Sequence, residues 1–111
     1  MSKYKLYIND ILRAINLIEK TTKGKNLGSF SKDKNLVDAT AMRVQIIGES
    51  IKKLPKIMKD KLKSINVVYL EGLRNIISHT YFKINPELLW SIVDEEIPNL
   101  KKEIKKLQNV R

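Results

Sequence analysis

Apolar residues recur along most of the chain at intervals of three and four, the spacing of helices with one buried face. Leu6, Tyr7, Ile8, Ile11, Ala14, Ile15, Leu17 and Ile18 predict a first helix over residues 3–20. The rhythm stops at residues 21–35, TTKGKNLGSFSKDKN. Gly24, Gly28 and several Ser, Thr and Asn there predict a loop, with Leu27 and Phe30 pinning it to the body. Leu36, Ala39, Thr40, Arg43, Ile46, Ile47, Ser50, Ile51 and Leu54 restore the spacing and predict a second long helix over 35–54. Pro55 opens a short helical piece, PKIMKDKLK, because proline suits the first helical turn.

Ser64 or Asn66 then caps a central amphipathic helix, VVYLEGLRNIISHTY, over residues 67–81. After the turn FKIN, Asn85 followed by Pro86 has the form of an N-cap with proline at the first helical position. Leu88, Leu89, Ile92, Val93 and Ile97 give the last helix its buried face, with Trp90 alongside. Pro98 kinks or restarts that helix, and Leu100, Ile104 and Leu107 carry the spacing into a lysine-rich tail. The expectation is an all-α protein. Its architecture is an up-and-down bundle of four main helices plus a short one, in a single domain over residues 1–111. No internal repeat or low-complexity linker interrupts it.

The central helix is where apolar and polar residues separate most cleanly. At about 100° per residue, Tyr69, Leu70, Leu73, Ile76 and Ile77 share one arc. Glu71, Arg74, Asn75, Ser78 and His79 take the opposite one, with Gly72 beside them, where a ligand or another backbone can come close. Arg74 and His79 are five apart, which is a poor same-face spacing on one helix. They act together only if the helix end deforms or a second chain brings its own copies. A two-fold axis near this face would gather two arginines and two histidines in one cleft.

Composition narrows the chemistry. There is no cysteine and only one histidine, so disulfides, thiolate metal sites and a multi-histidine zinc site within one chain are excluded. That histidine, His79, is the one side chain whose ordinary pKa places its charge change near neutral pH. No apolar run reaches the ~20 residues of a membrane span, and the first residues lack a signal-peptide core. The expectation is a soluble, cytoplasmic protein with no membrane association. The net charge of +10 favours polyanions, RNA above all, although a lysine-rich solvated surface is the plainer account of the same number.

Other residues have both plain and functional readings. Arg43 lies within or beside an apolar stripe, which favours an internal partner, Glu49 among the candidates; the other role for it is as a residue of the Arg74 cleft. Asp94, Glu95 and Glu96 suit an exposed helix face ahead of Pro98 better than a magnesium site. Tyr4, Tyr7, Phe82 and Trp90 are able to stack RNA bases, but packing in the core or a dimer interface is the commoner use of such residues. Residues 21–35 lack the spacing of a phosphate-binding loop.

The segment from Arg74 to Tyr81 reads Arg-Asn, three residues, His, one residue, Tyr. It resembles the signature of the HEPN superfamily and, more narrowly, the Arg-x4-His-x-Tyr motif of the HepT-like toxins. The likeness extends through RVQIIGESIKKLP at 43–55 and GLRNIISHTYFKINPELLWSIVDEEIPNLKKEI at 72–104, and covers roughly residues 36–107. It implies a HEPN-like helical bundle and a metal-independent ribonuclease needing no cofactor, the toxin of a prokaryotic toxin–antitoxin pair. The implied partners are RNA, a second copy of the chain, and a small MntA-like nucleotidyltransferase antitoxin that silences the toxin by adenylylation. Carried onto this sequence, Arg74 and His79 are catalytic, Asn75 and Ser78 support them, and Tyr81 receives the AMP. Two rivals remain: a non-catalytic module that binds a nucleotidyltransferase, and a nucleic-acid-binding protein that uses only its basic surface.

Overall fold

The computed structural model describes residues 3–62 and 85–108. The expected central helix, with Arg74, Asn75, Ser78, His79 and Tyr81, and the caps expected at Ser64 or Asn66 lie outside the described residues. Every regular element among the described residues is helical. In chain order these are α1 (Lys3–Thr22), α2 (Leu27–Lys32), α3 (Lys34–Lys53), α4 (Lys56–Lys59), α5 (Pro86–Ser91), a π-helical turn (Ile92–Glu96) and α6 (Ile97–Gln108). The last three run on as one continuous helix.

Helix α1 is the shared wall of the core. Its Ile8, Ile11, Ala14, Ile15 and Ile18 are buried, and it packs against both α3 and α6. Both neighbours run antiparallel to it. Lys53, at the end of α3, sits over the ring of Tyr7 near the start of α1, 5.8 Å from its centre. Lys101, early in α6, donates to Glu19, late in α1, at 2.7 Å. That ion pair is about a third exposed on both sides, so it contributes at most roughly 1 kcal/mol and mainly fixes alignment. The free energy comes from the apolar faces instead, at about 25 cal/mol per Å² removed from water.

The stripe on α3 is rotated from the expected one. Leu36, Val37, Thr40, Ala41, Val44, Ile47, Ser50 and Ile51 are buried, while Ile46 is exposed and Ala39 is half-buried. Small Ala41 and Gly48 lie on the buried side. Leu6 and Leu17, counted with the apolar face of α1, are likewise exposed. Buried Thr40 and Thr22 satisfy their hydroxyls by donating to the carbonyls of Leu36 and Ile18, each at 2.7 Å.

Residues 21–35 are not one loop. α1 runs on to Thr22, Gly24 turns the chain with φ of 78°, and a short helix follows. Local side chains make that helix. The Ser29 amide donates to the Asn26 side chain at 2.9 Å, and the Asn26 amide donates to the Ser29 hydroxyl at 3.0 Å, a reciprocal N-terminal cap. Asp33 closes α2 with its backbone and opens α3 with its side chain, which accepts from the Leu36 amide at 3.1 Å. Phe30 pins α2 as expected and is fully buried, with its ring 5.3 Å from that of Trp90. Leu27 does not, being 40% exposed.

At the other end, Asn85 caps α5 as expected, accepting from the amides of Glu87 and Leu88, with Pro86 in the first turn. Pro98 lies in the first turn of α6, directly after the π-helical turn, so the regular α-helix starts again beside it as expected. The turn before it widens, and the Ile97 amide reaches the Ile92 carbonyl, five residues back. A proline ring collides with the carbonyl four residues earlier in an α-helix, and the wider turn relieves that crowding. The apolar spacing carries the same information. Ile92 and Ile97 are both buried and five apart, where a regular helix would place the pair three or four apart.

Two substitutions separate core from cap. Phe30→Ala is expected to lower the unfolding free energy by about 3–5 kcal/mol and to red-shift Trp90 emission, because the ring backing the indole is lost. Asn85→Ala is expected to cost about 1 kcal/mol and leave the emission unchanged. Urea unfolding followed by fluorescence checks both; equal costs would contradict this division.

Candidate functional site

The residues expected to carry chemistry, Arg74, Asn75, Ser78, His79 and Tyr81, lie outside the described residues. Arg43, the candidate cleft residue, is described. It projects from α3, half-buried, and its guanidinium donates to the Thr21 hydroxyl at 3.1 Å. Thr21 in turn donates to the Leu17 carbonyl at 2.7 Å, which leaves its oxygen lone pairs facing the arginine. An internal partner was the expected resolution for this charge. The one observed is a neutral hydroxyl at the end of α1. One guanidinium nitrogen is thereby tethered beside the α1–α3 seam.

A second feature was not singled out by sequence reasoning. A groove of about 430 Å³ opens between the end of α1 and the helix that follows Asn85. Among the described residues its apolar lining is Ile18, Trp90, Val93, Ile97 and Pro98. Glu19, Lys23, Lys25 and Asp94 stand around the rim. Two of these charges are matched: Glu19 by Lys101 at 2.7 Å, and Lys25 by Asp33 at 3.6 Å. Lys23 and Asp94 are exposed and make no ion pair among the described residues. The Asp94 to Glu96 run is therefore part of a helix wall, and no cluster of three metal-binding side chains occurs among the described residues. The sequence signal for the groove was weak. Trp90 and Asp94 are one turn apart, but Lys23 reaches them only through the fold.

No helix among the described residues is long and apolar enough to cross a membrane.

Comparison with known proteins assigns the chain. The family model described as "Ribonuclease HepT-like" matches residues 11–107. "Probable ribonuclease HepT" of Thermococcus cleftensis is 34% identical over 105 residues, covering 95% of this chain and 96% of that protein. "Putative RNase TTE0752" of Caldanaerobacter subterraneus subsp. tengcongensis is 32% identical over 101 residues, 91% of this chain and 90% of that protein. "Gamma-glutamylcyclotransferase and putative RNase MJ0434" of Methanocaldococcus jannaschii is 41% identical over 103 residues. The match takes in 93% of this chain but only 46% of that longer protein. No solved structure matches. With a family model spanning nearly the whole chain and relatives matched over most of their length, the chain belongs to the HepT-like ribonuclease family.

Proposed function

We propose that the protein is a metal-independent endoribonuclease acting through the Arg74-x4-His79-x-Tyr81 motif, and the toxin of a toxin–antitoxin pair. The observation that carries this reading is the family match over residues 11–107, a span that contains the complete motif. The net charge of +10 supports a polyanionic substrate.

The chemistry assigned to each residue follows from its side chain. A neutral His79 takes the proton of an RNA 2′-hydroxyl as that oxygen attacks the adjacent phosphorus; a protonated His79 donates to the departing 5′-oxygen. Arg74 holds two phosphate oxygens with its planar fork and gains as charge develops on them. In a homodimer with the motifs facing across a cleft, the two His79 side chains share the base and acid roles. Asn75 and Ser78 orient the phosphate by hydrogen bonds, and Arg43 contributes positive charge nearby. Tyr81 hydrogen-bonds or stacks on the substrate. Its adenylylation by an MntA-like nucleotidyltransferase places a bulky, negatively charged phosphodiester in the cleft and repels RNA.

Incubation of purified protein with total RNA and tRNA in EDTA tests the assignment. Cleavage is expected to survive EDTA and to fall by about a hundredfold or more in His79→Ala. Undiminished cleavage by that variant would remove the basis of the mechanism. After co-production with the nucleotidyltransferase, a mass increase of one AMP is expected on the wild-type chain and not on Tyr81→Phe. An unmodified wild-type protein that binds the nucleotidyltransferase but cleaves no RNA would favour a non-catalytic binding module.

A further inference from the structure

The groove beside Trp90 has an unusual combination of features. Phe30, fully buried, backs the indole at 5.3 Å with the two rings tilted by 45°, so the half-buried Trp90 is held firmly in the groove wall. Val93 and Pro98 add apolar surface beside it. The two rim charges not matched among the described residues are of opposite sign, Lys23 on the turn after α1 and Asp94 on the π-helical turn. A purely anionic ligand would be met by Lys23 but repelled by Asp94. A ligand that matches all of these features carries a flat ring for Trp90, an anion for Lys23 and adjacent N–H donors for Asp94.

A guanine nucleotide has that constitution. A carboxylate offers two coplanar acceptors and no donor. Guanine alone among the RNA bases presents two adjacent donors, N1–H and N2–H, on its pairing edge. Adenine and cytosine each place an acceptor beside their amino group, where it would face the Asp94 carboxylate. Stacking on the indole supplies binding for any base, and the edge supplies the choice. The volume, about 430 Å³, falls within the range of small-molecule sites.

We propose that this groove is a subsite for one guanine nucleotide of single-stranded RNA, with the base against Trp90, its pairing edge on Asp94 and its phosphate on Lys23. The proposal rests on the ribonuclease reading for the source of the nucleotide, but binding there needs no cleavage.

Trp90 is the only tryptophan in the chain, so its fluorescence reports the groove directly. Titration with 5′-GMP is expected to quench it saturably. IMP, which lacks the 2-amino group, and AMP are expected to bind about tenfold more weakly or worse. Guanosine without phosphate should also bind more weakly. Asp94→Asn is expected to erase the preference for GMP over IMP, and Lys23→Ala the preference for GMP over guanosine. Both positions are exposed, so the fold should tolerate either change. Equal quenching by GMP, IMP and AMP, or quenching indifferent to both substitutions, would overturn the subsite.

The same protein assayed for RNA cleavage separates the two ideas. Cleavage without guanine-selective quenching would retain the nuclease and reject the subsite. Guanine-selective quenching in a protein that cleaves nothing would retain the nucleotide site and reject the nuclease.

Discussion

The isoleucine face of α1 is the constraint on which the described structure depends. Ile8, Ile11, Ile15 and Ile18 are almost wholly buried, and both other long helices pack against this one. A β-branched side chain on a helix is nearly confined to one rotamer, so the face is stiff, and whatever packs on it takes a defined register. Specific side-chain contacts then align the partners: Lys53 on Tyr7, Lys101 on Glu19 and Arg43 on Thr21. Each is modest. Together they settle the axial position of helices that apolar contact alone would hold less specifically.

Periodicity makes the helices legible because each long one has a face to bury. It does less well at choosing that face. On α3, apolar residues occupy more than half of the circumference, so Ala39–Ile46 and Val37–Val44 are both acceptable stripes, and only the packing against α1 distinguishes them. The segment after Thr22 misleads for a different reason. Glycine and small polar residues are loop formers by propensity, yet Asn26, Ser29 and Asp33 are also capping residues, and with Phe30 as an anchor they make a short helix. The cap at Asn85 is legible because Asn-Pro serves the same purpose whatever surrounds it.

The candidate chemistry divides the same way. The Arg74, His79 and Tyr81 assignment comes from a sequence signature, and the family match to residues 11–107 agrees with the resemblance that suggested it. The bond from Arg43 to Thr21 is foreseeable only as the need of a half-buried charge for a partner, because the two residues meet through helix packing. The groove is beyond pattern reading altogether. Lys23 and Asp94 are far apart in the chain and each is an ordinary exposed charge by itself; only the fold brings them, with Trp90, to the lining of one groove.

The widened turn at Ile92–Glu96 has a consequence for how this chain can change length. A π-helical turn accommodates one more residue than an α-helical turn while keeping the flanking faces in line, so Leu89 before it and Ile92 at its start are buried in the same core as Leu100 and Ile104 after it. A one-residue deletion there leaves both core stripes aligned, whereas the same deletion within α6 swings everything beyond it by about 100°. The permissive deletion carries a condition, because a regular turn brings a carbonyl back against the ring of Pro98. Helix length and the identity of residue 98 are therefore tied together: the extra residue can be shed only along with the proline.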